Sequence, residues 1–208
     1  MKESKAELLI PNLKDPTNWK LLCFTDASLG NLNSGKDSTG GHLILLWNDV
    51  TKRCALVDWH SNKIKRVVRS TLAAETLSLC DGLENTLFIR DILRSIWDQA
   101  LNISIIGVVD NLSLVEAVNS ATSVSDKRLR REIGALKEML DSGDVSTLKW
   151  VPGEFQLADI LTKQGVNDAD LLKICLEGSY STYDLQSMLT RACNIEYSSN
   201  FFITLTSI

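Results

Sequence analysis

The stretch Leu21-Leu22-Cys23-Phe24-Thr25-Asp26-Ala27-Ser28 decides the fold of this 208-residue chain. The apolar run at residues 21–24 is typical of a short buried strand, which we expect to span residues 20–25. Asp26 follows that run directly and leaves a carboxylate at the carboxyl end of the strand. The other acidic residues of interest can be placed relative to this aspartate.

Three further acidic residues lie at the ends or starts of predicted elements. Glu75 comes early in a long helix, Asp110 follows the apolar run 103–109, and Asp159 opens a late helix. Carboxylates that are distant in sequence but lie at element ends can converge in space, and hard divalent cations prefer such oxygen ligands. The four residues therefore predict a cation site, although each alone could be a turn former, a helix cap or a solvated helix residue.

The composition is that of a globular chain with a mildly acidic balance. A hydrophobic fraction of 44% allows one domain with a proper core, and a net charge of -4 argues against a general electrostatic grip on nucleic acid or membrane. The five cysteines form no CxxC pair, so we expect buried thiols in a reducing compartment. Without a signal-peptide core or a membrane-length apolar run, the expected location is cytoplasmic or nuclear, not secreted.

The hydrophobic periodicity predicts a mixed order of strands and helices. A three-strand meander comes first, with a loop at residues 29–41 and with Val67 and Val68 as a closing extension of the third strand. Alternating helices and strands follow, which gives the order β-β-β-α-β-α-α-β-α. The predicted elements are strands at 20–25, 42–47, 54–59, 103–109 and 146–151, and helices from Ser70 or Thr71 to about 95, at 111–119, from about 127 to 141 and at 156–163.

We expect an irregular lead-in at residues 1–19, a domain at 20–177 and an extension of unknown role at 178–208. The tryptophans Trp47, Trp59, Trp97 and Trp150 lie in or beside apolar elements and are expected in or near the core rather than as base-stacking platforms.

An ordered set of motifs covers roughly residues 20–165. The motifs are Phe24-Thr25-Asp26-Ala27-Ser28, Ser38-Thr39-Gly40-Gly41, Trp59-His60-Ser61-Asn62-Lys63, Arg69-Ser70-Thr71-Leu72-Ala73-Ala74-Glu75, Val109-Asp110-Asn111 and Leu157-Ala158-Asp159-Ile160-Leu161-Thr162-Lys163. In their order and spacing these motifs resemble a known family, the ribonuclease H domain of Ty1/copia-type retrotransposon polyproteins.

The resemblance implies an α/β, ribonuclease H-like fold with a five-stranded mixed β-sheet flanked by α-helices. It implies that Asp26, Glu75, Asp110 and Asp159 are catalytic, metal-binding carboxylates of an endonuclease that hydrolyses the RNA strand of RNA–DNA hybrids by a two-metal-ion mechanism. The implied cofactor is two Mg²⁺ ions, with Mn²⁺ as a substitute. The implied partners are the hybrid and the reverse transcriptase portion of a polyprotein. We expect Asp26 and Asp110 to contact both ions, Glu75 one ion and Asp159 the other.

Two basic clusters are candidates for contacts with the phosphates of a hybrid. One opens the helix near residue 127, where four of five residues are basic at a helix N-terminus that disfavours cations. The other precedes the first helix. A solvated surface is the ordinary alternative for both. Their members are Lys127, Arg128, Arg130 and Arg131, and Lys63, Lys65, Arg66 and Arg69. Five polar residues expected around the site are candidates for contacts with 2′-hydroxyls or backbone: Ser28, Asn62, Ser70, Thr71 and Asn111.

Two other functions stay open at this stage. A catalytically silent, domesticated retrotransposon-derived domain could serve as a nucleic-acid or protein-binding module, and a DNA-strand transferase or exonuclease of the same superfamily would also use acidic clusters. The segment Pro152-Gly153-Glu154-Phe155-Gln156 contains no histidine, whereas many relatives have one just before the last aspartate. This departure bears on a histidine-assisted product-release step and not on the metal ligands.

Overall fold

The computed structural model describes residues 8–32, 37–120 and 125–179. Within these residues, five strands and five helices follow one another, with two short 3₁₀ turns at Pro16–Asn18 and Gly153–Phe155. The strands are β1 (Trp19–Leu32), β2 (Asp37–Asn48), β3 (Cys54–Lys63), β4 (Ser104–Val109) and β5 (Thr147–Trp150). The helices are α1 (Thr71–Ile96), α2 (Leu112–Asn119), α3 (Lys127–Asp141), α4 (Asp159–Thr162) and α5 (Ala169–Glu177).

The strands form one mixed sheet in the order β3-β2-β1-β4-β5. β1 pairs antiparallel with β2 and β2 pairs antiparallel with β3, whereas β4 runs parallel to β1 and β5 runs parallel to β4. The parallel half is connected through helices, as parallel neighbours require. This order and pairing confirm the expected α/β, ribonuclease H-like fold with a five-stranded mixed sheet.

The central strand β1 is continuously apolar over residues 21–24, where both faces of the sheet are covered. Leu21 and Cys23 of β1 belong to the core beneath α1, α2 and α3, while Leu22 and Phe24 belong to the core beneath α4 and α5. Helix α1 begins where the sequence predicts, since the Ser70 side chain accepts a hydrogen bond from the Ala73 backbone N–H. The layers thus hold the sheet between helices on both sides.

The predicted loop at residues 29–41 is wrong at both ends. β1 continues to Leu32 and β2 begins at Asp37, so the antiparallel pairing extends well beyond the apolar cores of both strands. Gly40 and Gly41 are typical of a loop, yet they lie inside β2. Glycine fits there because helices pack closely against the strand. A Cβ at Gly41 would lie 2.9 Å from Leu161 Cβ, and one at Gly40 would lie 3.2 Å from Ser78 Oγ.

Other expectations differ in smaller ways. Val67 and Val68 do not extend the third strand, and Val67 is 82% exposed. Trp47 is buried and Trp150 is partly buried, as expected, but Trp59 and Trp97 are each 55% exposed. Helix α5 was not predicted from the sequence. The predicted domain nevertheless ends at residue 177, the last residue of this helix. The predicted extension lies outside the described residues apart from residues 178 and 179.

The sequence predicts that the cysteine thiols are buried, and the structure confirms this for three of them. Cys23, Cys54 and Cys80 are buried, and burial raises the pKa of Cys23 and of Cys80 to about 12. Across the described part of the chain, no helix combines the length and apolarity that crossing a membrane requires.

Candidate metal centre

Parallel pairing brings Asp26 and Asp110 to the same end of the sheet. Phe24 of β1 pairs with Val108 of β4, and each aspartate lies two residues further along its chain in the same direction. Asp26 is 1% exposed, and Asp110 is partly buried just beyond the end of β4. The Trp150 indole N–H donates to the Asp110 carbonyl at 2.8 Å, which ties the turn after β4 to β5.

Helix α1 brings Glu75 across β1 to the same place. Glu75 lies in the second turn of α1 and is 3% exposed, and its carboxylate accepts a hydrogen bond from the Ala27 backbone N–H. Ser78, one turn further on, donates its hydroxyl to the Asp26 carbonyl at 2.8 Å and to the Gly41 carbonyl at 3.1 Å. These bonds fix the helix to both strands beside the carboxylates.

The three carboxylates converge closely enough to ligate one ion. One ligand oxygen from each of Asp26, Glu75 and Asp110 lies within 4.8 Å of the others. Asp26 Oδ1 and Glu75 Oε2 are buried and have no hydrogen-bond partner among the described residues. A buried carboxylate oxygen without a partner is costly, and a divalent cation would satisfy both oxygens. The donor set therefore fits a hard cation such as Mg²⁺ or Mn²⁺.

Asp159 lies beside this group rather than in it. It opens α4, with a side chain that is 14% exposed, and the Lys163 ammonium joins it to Asp26. Lys163 Nζ lies 2.8 Å from Asp159 Oδ1 and 3.3 Å from Asp26 Oδ1; the second approach is an ion pair without hydrogen-bond geometry. Thr162 donates its hydroxyl to the other Asp26 oxygen, Oδ2.

Sequence reasoning missed Thr162 and Lys163 as members of this cluster. Both were present in the quoted motif, and an aspartate four residues before a lysine on a helix is a common ion pair. The contacts with Asp26 could not be read from that spacing, because they depend on how α4 packs over β1 and β2.

Crowding raises the pKa of three of the carboxyl groups. Burial, followed by the negative charges of Asp26 and Asp110, raises the pKa of Glu75 to about 9. Burial and the Asp26 charge also raise the pKa of Asp110, and burial is the largest cause of the raised pKa of Asp159. Partial burial by itself would lower the pKa of Lys163, but the surrounding aspartates raise it, so this residue is a cation at neutral pH. A divalent ion would offset the same repulsion.

The polar residues proposed for nucleic-acid contacts divide into two groups. Ser70 and Asn111 are helix N-caps whose side chains accept from the Ala73 and Leu114 N–H groups, and Thr71 is the first residue of α1. Ser28 pairs with Thr39 and Thr39 with Lys63, so these three residues form a row across the sheet, two positions along β1 from Asp26.

Asn62 and Lys63 lie at the end of β3, with exposed side chains that have local partners. Lys63 forms an ion pair with Asp37 at 2.7 Å, and Asn62 contacts His60. Both residues remain able to reach solvent at the end of the sheet that holds the carboxylates.

The two basic clusters lie next to each other. Arg66 forms an ion pair with Glu132 of α3, and the positive charge of Arg69 contributes to the lowered pKa of Asp126, the N-cap of α3. The four basic residues in the first turns of α3 are exposed: Lys127, Arg128, Arg130 and Arg131. Together the clusters form a basic surface that adjoins the N-terminal end of α1, the helix that carries Glu75.

Comparisons with known proteins give structural likeness and no sequence match. No protein-family model and no curated protein matches the sequence. Three similar solved structures each cover 72% of this chain. LC11-RNase H1, isolated from compost by a metagenomic approach, is 16% identical over 97% of its chain, with a TM-score of 0.49. RNase H1 from the archaeon Halobacterium salinarum NRC-1 is 18% identical over 98% of its chain, with a TM-score of 0.48. LC11-RNase H1 in complex with an RNA/DNA hybrid is 17% identical over 99% of its chain, with a TM-score of 0.48.

Proposed function

We propose that the chain is a metal-dependent endonuclease that hydrolyses the RNA strand of RNA–DNA hybrids. The observation that carries the proposal is the convergence of Asp26, Glu75 and Asp110 from three separate elements, with ligand oxygens within 4.8 Å of one another. Glu75 Oε2 is buried without a hydrogen-bond partner in the described residues, and Asp26 Oδ1 has only the 3.3 Å approach of the Lys163 ammonium. A purely structural cluster would be expected to pair these oxygens with protein donors.

The residues divide the work according to their positions. Asp26, Glu75 and Asp110 would hold one divalent cation, and Asp26 and Asp110 with Asp159 would hold a second. Bound Mg²⁺ ions lower the pKa of water and offset the negative charge that develops on entering and leaving phosphate oxygens. Thr162 orients Asp26 through its hydroxyl, and Ser78 fixes the Asp26 backbone. These supports come from two elements, α4 and α1, and hold the aspartate in place before an ion binds.

The substrate class follows from charge and polar groups around the carboxylates. The basic surface of the segment before α1 and the start of α3 would bind phosphates without reading sequence. Ser28, Asn62 and Lys63 lie at the same end of the sheet as Asp26 and could bond to backbone oxygens or to 2′-hydroxyls. The 2′-hydroxyl is the group that distinguishes RNA from DNA. The net charge of the chain is -4, so binding of nucleic acid would depend on the local distribution of charge and not on the total charge.

The proposal also includes the origin of the chain, its protein partner and its cofactor. The ordered motifs that resemble Ty1/copia-type polyproteins support descent from a retrotransposon, and a reverse transcriptase portion of such a polyprotein would be the natural protein partner. Mg²⁺ is the proposed cofactor, with Mn²⁺ as a substitute, because all the available ligands are carboxylate oxygens.

A panel of nucleic acids labelled on one strand tests this function. We expect Mg²⁺-dependent cleavage of the RNA strand of a hybrid, with no cleavage of its DNA strand, of duplex DNA or of duplex RNA. Binding of the hybrid without cleavage at any Mg²⁺ or Mn²⁺ concentration would contradict the enzymatic proposal and favour the silent binding module. Cleavage of DNA would instead favour an exonuclease or strand transferase of the same superfamily.

A further inference from the structure

Lys163 is held in the carboxylate cluster by both its backbone and its side chain. It directly follows α4, and its backbone N–H donates to the Asp159 carbonyl at 2.8 Å. Its ammonium then turns back onto the Asp159 carboxylate at 2.8 Å and approaches Asp26 at 3.3 Å. The ammonium therefore lies between a fully buried aspartate and a mostly buried one.

This geometry differs from that of an ordinary surface ion pair. An exposed lysine and carboxylate gain little from pairing because water and salt screen their charges. Asp26 is 1% exposed and Asp159 is 14% exposed, so both carboxylates are shielded from water although the Lys163 side chain itself is 39% exposed. Removing the ammonium would leave Asp26 and Asp159 facing each other, and each already adds to the electrostatic field that raises the pKa of Asp110. The lysine thus offsets a repulsion inside the cluster.

The position of the Lys163 ammonium affects how a second ion could bind. In the proposed two-ion arrangement, Asp26 and Asp110 with Asp159 hold the second ion. The oxygens of Asp26 and Asp159 that face each other are the ones that the Lys163 ammonium contacts. Two cations cannot share these oxygens at contact distance without strong repulsion. The first ion, at Asp26, Glu75 and Asp110, would share only the Asp26 oxygen with the lysine, which approaches it at 3.3 Å, whereas the second ion would share an oxygen of each of the two aspartates that the lysine contacts.

We propose that Lys163 is a positioning residue that acts as the resident counter-ion of the second cation position. It holds Asp26 and Asp159 together in the ion-free chain and must leave the gap between them before a second divalent ion enters. This inference rests on the proposed metal-dependent function. It makes the two ions unequal: the first would compete with the lysine at one carboxylate, and the second would compete with it at two.

Cation titration of three variants tests the proposal. Mn²⁺ binding is followed by calorimetry and by electron paramagnetic resonance for the wild type, Lys163→Met and Lys163→Arg, in the absence of nucleic acid. Lys14→Met is the matched control, because it makes the same charge change at an exposed lysine outside the basic surface. We expect Lys163→Met to strengthen the weaker binding step by about tenfold or more, since a unit positive charge next to a divalent ion is removed. Lys163→Arg and Lys14→Met should leave both steps near the wild-type values.

Thermal unfolding in EDTA gives a second readout. Lys163→Met should lower the melting temperature of the ion-free chain, and saturating Mn²⁺ should raise it by more than in the wild type. A lower melting temperature with unchanged affinity for both ions would overturn the proposal and leave Lys163 a structural ion pair. If neither the wild type nor Lys163→Met binds Mn²⁺, the metal-dependent function itself fails, whereas tight single-step binding in both proteins contradicts only the role of Lys163.

Discussion

Replacing Glu75 with glutamine should change how the stability of the ion-free chain depends on pH. The pKa of Glu75 in the folded chain is raised to about 9 from an ordinary value of 4.5, chiefly by burial. At pH values between these two pKa values, Glu75 holds a proton in the folded state and releases it in the unfolded state. Stability therefore falls as pH rises from about 4.5 towards 9, which is the sign expected for a buried acid whose pKa is raised.

The size of the effect follows from proton linkage. One proton contributes about 1.4 kcal/mol per pH unit, so between pH 6 and pH 8 Glu75 should cost the wild type about 3 kcal/mol of unfolding free energy. Glutamine has nearly the same shape, keeps an oxygen for the Ala27 N–H and carries no charge. The raised pKa values of Asp110 and Asp159 act in the same direction, but these groups remain in both proteins and largely cancel in the difference.

Urea denaturation in EDTA at pH 6, 7 and 8 measures this difference. We expect the Glu75→Gln variant to become more stable relative to the wild type by about 3 kcal/mol across that range. Glu84→Gln is the matched control, because Glu84 is exposed on the same helix, and its difference from the wild type should not vary with pH. Parallel stability profiles for the wild type and Glu75→Gln would refute the reasoning, since they would mean that Glu75 is not held neutral in a crowded cluster.

Three further predictions concern the packing, the charge cluster and the basic surface. Gly41→Ala should destabilise the fold by about 1–3 kcal/mol in urea denaturation and slow cleavage, because its Cβ would lie 2.9 Å from a side chain of α4. Gly134→Ala in α3 has no atom within 4 Å of its Cβ and should instead stabilise by about 0.5–1 kcal/mol. In EDTA, Asp110→Asn should match or exceed the wild-type melting temperature, because it relieves like-charge repulsion; a large loss would mean that Asp110 is structural. Changing Arg128 and Arg131 to Gln should weaken hybrid binding and reduce its slope against log salt by about 2, and an unchanged slope would exclude this surface from the interface.

The sequence predicted the elements whose signals are local. Helix α1 begins at its Ser70 cap and β4 coincides with an uninterrupted apolar run, so both could be placed within one or two residues. The convergence of Asp26 and Asp110 could be expected in outline, because each follows a buried strand and the two strands are parallel neighbours in the sheet. The distances between the carboxylates depend on how α1 packs across β1, and no sequence pattern gives those.

The errors arose where packing overrides local preference. Gly40 and Gly41 have the composition of a loop, but they pair with β1 and β3 as part of β2, and glycine suits these positions because Ser78 and α4 approach closely. Trp59 was expected near the core because it ends an apolar run, yet it lies on an edge strand and remains more than half exposed. The contacts of Lys163 with the cluster were missed for the same reason, since α4 makes them only after docking on β1 and β2.

Single-turnover cleavage of a hybrid labelled on its RNA strand tests the central claim most directly. The wild type, Asp110→Asn and the control Asp141→Asn, which changes an exposed aspartate of α3, are compared in Mg²⁺ and in EDTA. We predict Mg²⁺-dependent cutting by the wild type and the control, none in EDTA, and a loss of at least about a thousandfold in Asp110→Asn with hybrid binding retained, as expected when a metal ligand is removed from the reaction centre. Equal cleavage by the wild type and Asp110→Asn, or cleavage that persists in EDTA, would contradict the account.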